Sequence, residues 1–289
     1  MIIPFTKMQA YGNDYVYVNA DKVKVDDWSK LAIKISDRHF GVGSDGLILI
    51  CPSDVCDFRM RVFDPDGTEC EMCGNALRSV SKYVYHYGMT DKTKLSIETI
   101  GGLQQVELDV KDGEVVNIHA DIGKPVFDMD RIPVVPEPEM MNAMSGAKEF
   151  FSVPVQIDDR EFVMSSLSWG NPHTVMFIDD VDTLDIKKYG PLIENHKIFT
   201  KRTNVTFAQV TDENNIKIRE WERGVGETIG CGTGCCTAVV FAARLGLSGR
   251  HVDVMQIGGM LHVDWDDDDH VHMVGPSHVV YEGEYIYEA

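Results

Sequence analysis

The 289-residue chain has no run of about 18 apolar residues, the length a helix needs to cross a bilayer, so no membrane span is expected. Its first stretch, MIIPFTKMQAYGNDY, lacks the basic flank and cleavage site of a secretory signal. The cytoplasm is the expected location. Basic side chains are scarce: 27 Lys and Arg against 46 Asp and Glu leave a formal charge of −19. Such a field repels phosphate backbones and anionic lipid, which excludes nucleic acid and membrane surfaces as expected partners. Low-complexity segments are absent, and the 44% apolar content is that of a globular chain. A paired cysteine set is missing too, since the count is seven. Free thiols are therefore expected rather than a disulfide framework.

Two alternatives for the polar clusters are weaker than these readings. Cys70 and Cys73 have half the spacing of a zinc knuckle, but Cys231 with Cys235 or Cys236 would have to supply the rest from an apolar segment. No metal is expected. Asp266 to Asp269, in WDDDDHVH, lack the spacing of a calcium loop and read as a solvated hairpin tip.

What is present is a pattern that occurs twice. MIIPFTKMQ and DYVYVNAD read as strands about a turn, and DDWSKLAIKISDRH as a helix with Asp26 or Asp27 as N-cap. LILICPS and DFRMRVFD are further strands, followed by a helix from Asn75 to about Tyr87 with Leu77, Val80, Val84 and Tyr87 on one stripe. KLSIETIGG, LQQVELDVKDGEVVNIHAD and KPVF add strands, after which prolines punctuate a mostly irregular crossing from Pro125 to Met144. The same order then begins again. EFFSVPVQIDD, EFVMSSLSWGNPHTVMFID, a helix in DTLDIKKYGPLIEN, NVTFAQV and NIKIREWE lead to an apolar helix over 235–245 and four closing strands. The expected fold is α/β (α+β): two similar domains, each a mixed or antiparallel sheet wrapped around a central helix, with the active site in the cleft between them. The expected boundaries are 1–122 completed by 275–289, and 123–274.

Each half carries a Cys-Gly-polar step into a helix, in DGTECEMCGNALRS and GETIGCGTGCC. A helix start has unsatisfied N–H groups and a partial positive charge, which should ease loss of a thiol proton. Gly74 and Gly232 clear space beside Cys73 and Cys231, and the N–H groups that follow can receive a carboxylate. Two such thiols, opposed across one substrate, are what stereoinversion at a carbon needs: one removes a proton and the other returns one to the opposite face. No cofactor is called for, and the expected partner is a small amino-acid substrate; a homodimer is allowed. A binding protein without turnover would be expected to lose a cysteine or bulk up its glycine, and neither has happened.

The chain resembles the diaminopimelate epimerase family, pyridoxal-independent two-cysteine racemases. The resemblance is carried by KMQAYGNDY, DRHFGVGSDGLIL, RVFDPDGTECEMCGN, WGNPHTV, RTNVTFAQV and WERGVGETIGCGTG, in that order and nearly end to end. It implies interconversion of L,L- and meso-diaminopimelate, with Cys73 acting at the L centre and Cys231 at the D centre. It implies that Gly74, Asn75, Gly232 and Thr233 form the nests for the reacting carboxylate. Asn13 and Glu222 would hold or shield the reacting amine, and Asn171, Asn204 and Arg223 would clamp the far end. Cys70, Cys235 and Cys236 are spectators on this reading, and His173 is a packing or hydrogen-bonding residue.

The chain departs from the family's pattern in three places. Asp64 stands where an Asn usually touches the distal carboxylate, Gly46 stands where some members have Gln, and Ala76 replaces a Gly. An anionic Asp64 would repel an anionic substrate group. It therefore opens a second reading, a racemase of a basic amino acid such as histidine or lysine.

Overall fold

The computed structural model describes residues 1–144 and 147–288. The chain divides into two compact units, Met1–Asp121 with Val274–Ala289, and Ile122–Met273. Among the described residues no helix is long and apolar enough to cross a membrane.

The first unit opens with β1 (Ile2–Ala10), β2 (Asn13–Asn19), α1 (Trp28–Ser36), β3 (Leu47–Cys51) and β4 (Phe58–Phe63). It continues through β5 (Glu69–Cys70), α2 (Gly74–His86), β6 (Lys94–Thr99), β7 (Gly102–Lys111) and β8 (Glu114–Asp121). The second comprises α3 (Pro138–Ala143), β9 (Val153–Ile157), β10 (Arg160–Ser168), β11 (Pro172–Phe177), α4 (Ile186–Glu194), β12 (Asn204–Asp212), β13 (Asn215–Glu222) and β14 (Gly226–Thr228). Then come α5 (Gly232–Arg244), β15 (His251–Gln256), β16 (Gly259–Trp265), β17 (Val271–Gly275) and β18 (His278–Ile286), the last belonging to the first unit.

Strand pairing makes the internal repeat explicit. In the first unit β18, β1, β2, β3, β4, β6, β7 and β8 lie side by side, antiparallel except at β2–β3 and β4–β6. In the second, β9, β10, β11, β12, β13, β15 and β16 do the same, with the parallel steps at β11–β12 and β13–β15. Each parallel step is bridged by a helix, because parallel neighbours need a crossover. β5 on β4 matches β14 on β13, and α2 and α5 are both 13 residues long.

Alternation within the strands builds a layer on each face of the sheet. In β3, Ile48 and Ile50 join the core around Leu77, Val80 and Val84 of α2, whereas Leu47 and Leu49 face Leu31 and Ile35 of α1. α2 packs on β1, β2, β4, β7 and β8, so its sheet curls around it. α5 is enclosed likewise by β11, β12, β13, β15 and β16. Every residue of α5 from Gly234 to Ala242 is buried, which explains a helix without a polar face.

Local signals account for most boundaries. Asp27 is the N-cap of α1, its side chain accepting from Lys30 N at 3.0 Å. The acidic run folds back on itself, with Asp266 N donating to His270 O at 2.9 Å and Asp269 at φ 73°. One expectation is corrected. KPVF is no strand: Val126 makes only an isolated bridge to Ser168. Within the mostly irregular proline-rich crossing, Pro138 opens the short α3, where its missing N–H costs nothing.

Candidate functional site

Cys73 and Cys231 are the N-caps of α2 and α5, with nearly the same backbone, φ −134° ψ 118° and φ −127° ψ 106°. Neither makes a side-chain cap bond, so a thiol stands where Ser or Asp would ordinarily occupy the first-turn N–H groups. Each thiol thus sits beside a helix start able to bind an anion.

In the first unit the β1–β2 hairpin delivers the neighbours of Cys73. The Cys73 thiol donates to Asn13 Oδ1 and accepts from the Tyr15 hydroxyl, both at 3.7 Å. Asn75 Nδ2 also donates to Asn13 Oδ1, at 3.2 Å. Asn13 is oriented by donating to Asp45 Oδ2 at 2.8 Å, and Asp45 is in turn paired with Arg38. Behind Asn75 lies Arg78, fully buried, whose guanidinium donates to Asn75 Oδ1 and reaches back to Gly74 O. A buried cation thus fixes the amide that meets Asn13. The Tyr15 phenol is pushed well above its usual acidity range by burial and then by Cys73.

Asp64 takes a different direction from the rest. Its main chain closes a turn with Gly67 and Thr68, and its Oδ1 accepts from the Cys70 thiol at 3.6 Å. Burial, opposed by that thiol contact, makes it hold its proton to higher pH than an ordinary aspartate. Gly46 has a local reason: φ is +153°, and a Cβ there would lie 2.3 Å from Phe63 O. No side chain fits at this position.

In the second unit the expected site residues are tied to neighbouring strands and turns. Asn204, at the head of β12, donates to Pro172 O at 3.0 Å and accepts from Arg223 N at 2.9 Å, tying the start of β11 to the end of β13. Glu222 Oε1 accepts from Thr228 Oγ1 at 2.6 Å, and Arg223 donates to Lys201 O at 3.1 Å. Asn171 lies in the β10–β11 turn, half-buried, its carbonyl accepting from Trp169 N. The Trp169 indole donates to Thr237 in α5, which anchors that turn to the helix. Thr233 Oγ1 lies 3.5 Å from Cys231 Sγ, and Gln256 Oε1 accepts from Cys231 N at 2.9 Å.

The electrostatics correct one expectation. Far from easing loss of its proton, the surroundings push the Cys231 thiol well above the ordinary range, by burial first and then through Glu222 and Glu220. The helix terminus is outweighed because a thiolate there would be both desolvated and faced by carboxyl groups. His173 is fully buried and pushed down to about 3 by burial and by Arg223, so it is neutral at physiological pH. It therefore packs and contacts Asn204, whose amide lies 3.5 Å from its Nε2.

That histidine has a consequence for acid stability. Its folded-state value lies below the unfolded ~6.5, so its contribution is complete above that value and is lost as pH falls towards about 3. Replacing His173 by Gln is expected to flatten the fall in stability between pH 6 and 4, read from urea midpoints. An unchanged slope would disprove the assignment.

Sequence reasoning passed over Tyr15, Arg78, Glu220 and Gln256. Only Glu220 left a signal: it continues the alternation of Ile216 and Ile218 on the buried face of β13, where an apolar residue is due. All seven cysteines are unbridged, and Cys235 is buried with its thiol donating to Gln256 Oε1 at 3.5 Å. Among the described residues no group of three or more His, Cys, Asp or Glu is arranged to hold a metal ion.

The sequence profile described as "Diaminopimelate epimerase" matches residues 5–127 and 165–280. A diaminopimelate epimerase of Agathobacter rectalis is 46% identical over 281 residues, covering 97% of this chain and 98% of that protein. One from Acetivibrio thermocellus is 45% identical over 281 residues, covering 97% of each. Among solved structures, a Bacillus anthracis phenazine biosynthesis protein of the PhzF family superposes with a TM-score of 0.70 at 17% identity, covering 99% of this chain and 100% of that one. That likeness concerns the fold alone. With the profile and relatives extending across both units, the chain belongs to the diaminopimelate epimerase family.

Proposed function

We propose that the protein inverts the configuration at one α-carbon of diaminopimelate, L,L to meso, using Cys73 and Cys231 as the acid–base pair. One observation supports this above the others: each unit presents an uncapped cysteine at the start of the helix enclosed by its own sheet. Cys73, as thiolate, takes the proton from an L centre. Cys231, as thiol, delivers a proton to the other face, and the roles reverse at a D centre. The N–H groups of Gly74, Asn75, Gly232 and Thr233 receive the reacting carboxylate, where negative charge grows as the proton leaves. Asn13 and Glu222 hold the reacting amine, and Asn171, Asn204 and Arg223 recognise the distal carboxylate and amine. The chemistry needs only these groups and a reducing compartment, in keeping with a cytoplasmic enzyme.

Asp64 decides between diaminopimelate and a basic amino acid. Its contact with Cys70 and its own turn supports a side chain occupied away from the distal carboxylate. Asp64→Asn is then expected to retain or improve turnover of diaminopimelate. If Asp64 instead attracts a substrate cation, the same change lowers kcat/KM by about tenfold per ~1.4 kcal/mol lost. The direct test follows deuterium uptake at Cα in heavy water, with L,L-diaminopimelate beside L-histidine, L-lysine, L-arginine and L-glutamate. Exchange into diaminopimelate alone is expected. Exchange into histidine or lysine with diaminopimelate inert would overturn the substrate.

A further inference from the structure

Glu220, on β13, is 2% exposed, and neither carboxyl oxygen has a hydrogen bond of good geometry. Its place is tightly defined: a Cβ on Gly234 would lie 2.5 Å from Oε2 and 3.0 Å from Oε1. The carboxyl group therefore rests against the first turn of α5, the turn that begins at Cys231. This is a reason for glycine at 234. Glycine there admits an acid that the roles assigned above leave unused.

The groups around Glu220 come from three strands and α5. β11 supplies His173, its Nδ1 3.7 Å from Oε1 and also without a partner; β12 supplies the Thr206 hydroxyl; β13 supplies Glu222; α5 supplies Cys231. None is a cation at neutral pH, since burial and Arg223 keep His173 uncharged. A carboxyl group buried among such neighbours retains its proton past the ordinary glutamate range, through burial foremost and with Glu222 adding to it. Cys231 faces the same conditions, so the two acids titrate as a pair rather than singly.

We propose that Glu220 is a positioning residue which, by sharing one buried environment with Cys231, holds that sulfur as the proton-bearing thiol. The inference rests on the reading of Cys231 as an acid–base thiol. The first proton leaves the pair mainly from the carboxyl group, the stronger acid in water. The carboxylate so formed then opposes a thiolate beside it, and the second proton stays on sulfur. Glu220 touches no substrate in this scheme. It keeps the proton donor charged with its proton over a wider pH range than a lone thiol would allow.

The test compares the unaltered enzyme with Glu220→Gln, which keeps the shape without titrating, and Glu220→Val, which suits a buried strand and has no polar group. Alkylation by iodoacetamide is followed against pH, with fragment mass spectrometry separating Cys231 from Cys235 and Cys236. Both variants are expected to lower the Cys231 midpoint by a unit or more, giving about tenfold faster alkylation at a fixed pH below the midpoints. The Cys73 midpoint should not move. The alkaline limb of kcat/KM from the L,L isomer should fall to lower pH by a similar amount. If the glutamine variant does not fold, the valine variant carries the measurement. A Cys231 midpoint that stays in place in a folded variant overturns the proposal. A shifted midpoint with an unmoved activity limb would support the coupling and remove Cys231 from the proton-donating role, so the two failures are told apart.

Discussion

Cys73→Ser and Cys231→Ser are each expected to lower stereoinversion by about 10^3-fold or more, the scale of a positioned acid or base. A hydroxyl replaces a thiol of similar size at an N-cap, where serine is itself favoured, so the helices and sheets should survive unchanged. Circular dichroism and urea midpoints check the fold. Incubation in heavy water then separates the two roles. A variant that keeps only Cys73 can still remove the proton of an L centre, and one that keeps only Cys231 that of a D centre. Each should therefore exchange hydrogen from one stereoisomer alone. Normal inversion in both variants would dismiss the two-thiol mechanism.

The second large effect is expected on stability, at Glu194. This buried carboxylate closes α4 onto the segment that carries Glu222 and Arg223. Its Oε1 accepts from Gly224 N and from Arg202, both at 2.9 Å, and its Oε2 accepts from the Trp221 indole at 2.8 Å. Arg202 is half exposed, so the ion pair is screened and adds little. The two N–H donors matter more, above all the indole of half-buried Trp221, because alanine removes its acceptor, whereas water can reach exposed Gly224 N. Glu194→Ala is expected to cost about 1–3 kcal/mol, the scale of one orphaned donor. Glu194→Gln retains an acceptor and should recover part of the loss. Urea denaturation measures both, and an alanine variant with an unmoved midpoint would remove Glu194 from this role. Turnover should fall with stability, since Gly224 follows Arg223 directly.

Much of the candidate site was legible because its signals are local. A cysteine before Gly-Asn or Gly-Thr at a helix start is a short-range pattern, and the N-cap geometry of Cys73 and Cys231 follows from it. The repeat was legible as an order of elements, because strand and helix periods survive when letters diverge. KPVF misled because four residues of strand-like composition cannot reveal whether a partner strand lies beside them.

By itself, the sequence determined the order of strands and helices, the two Cys-Gly helix starts and the family to which they point. Those depend on spacing along the chain, and spacing is what a sequence records. Tertiary structure decided the rest. It set Arg78 behind Asn75, although the helical stripe alone marks Arg78 as nothing unusual. It turned Asp64 towards Cys70 and placed the Glu220 carboxyl against the first turn of α5. It also reversed the expected acidity of Cys231. A helix terminus acts through the few residues beside it, whereas burial and facing carboxyl groups are brought by strands distant in sequence, and in a low-dielectric interior those outweigh the terminus.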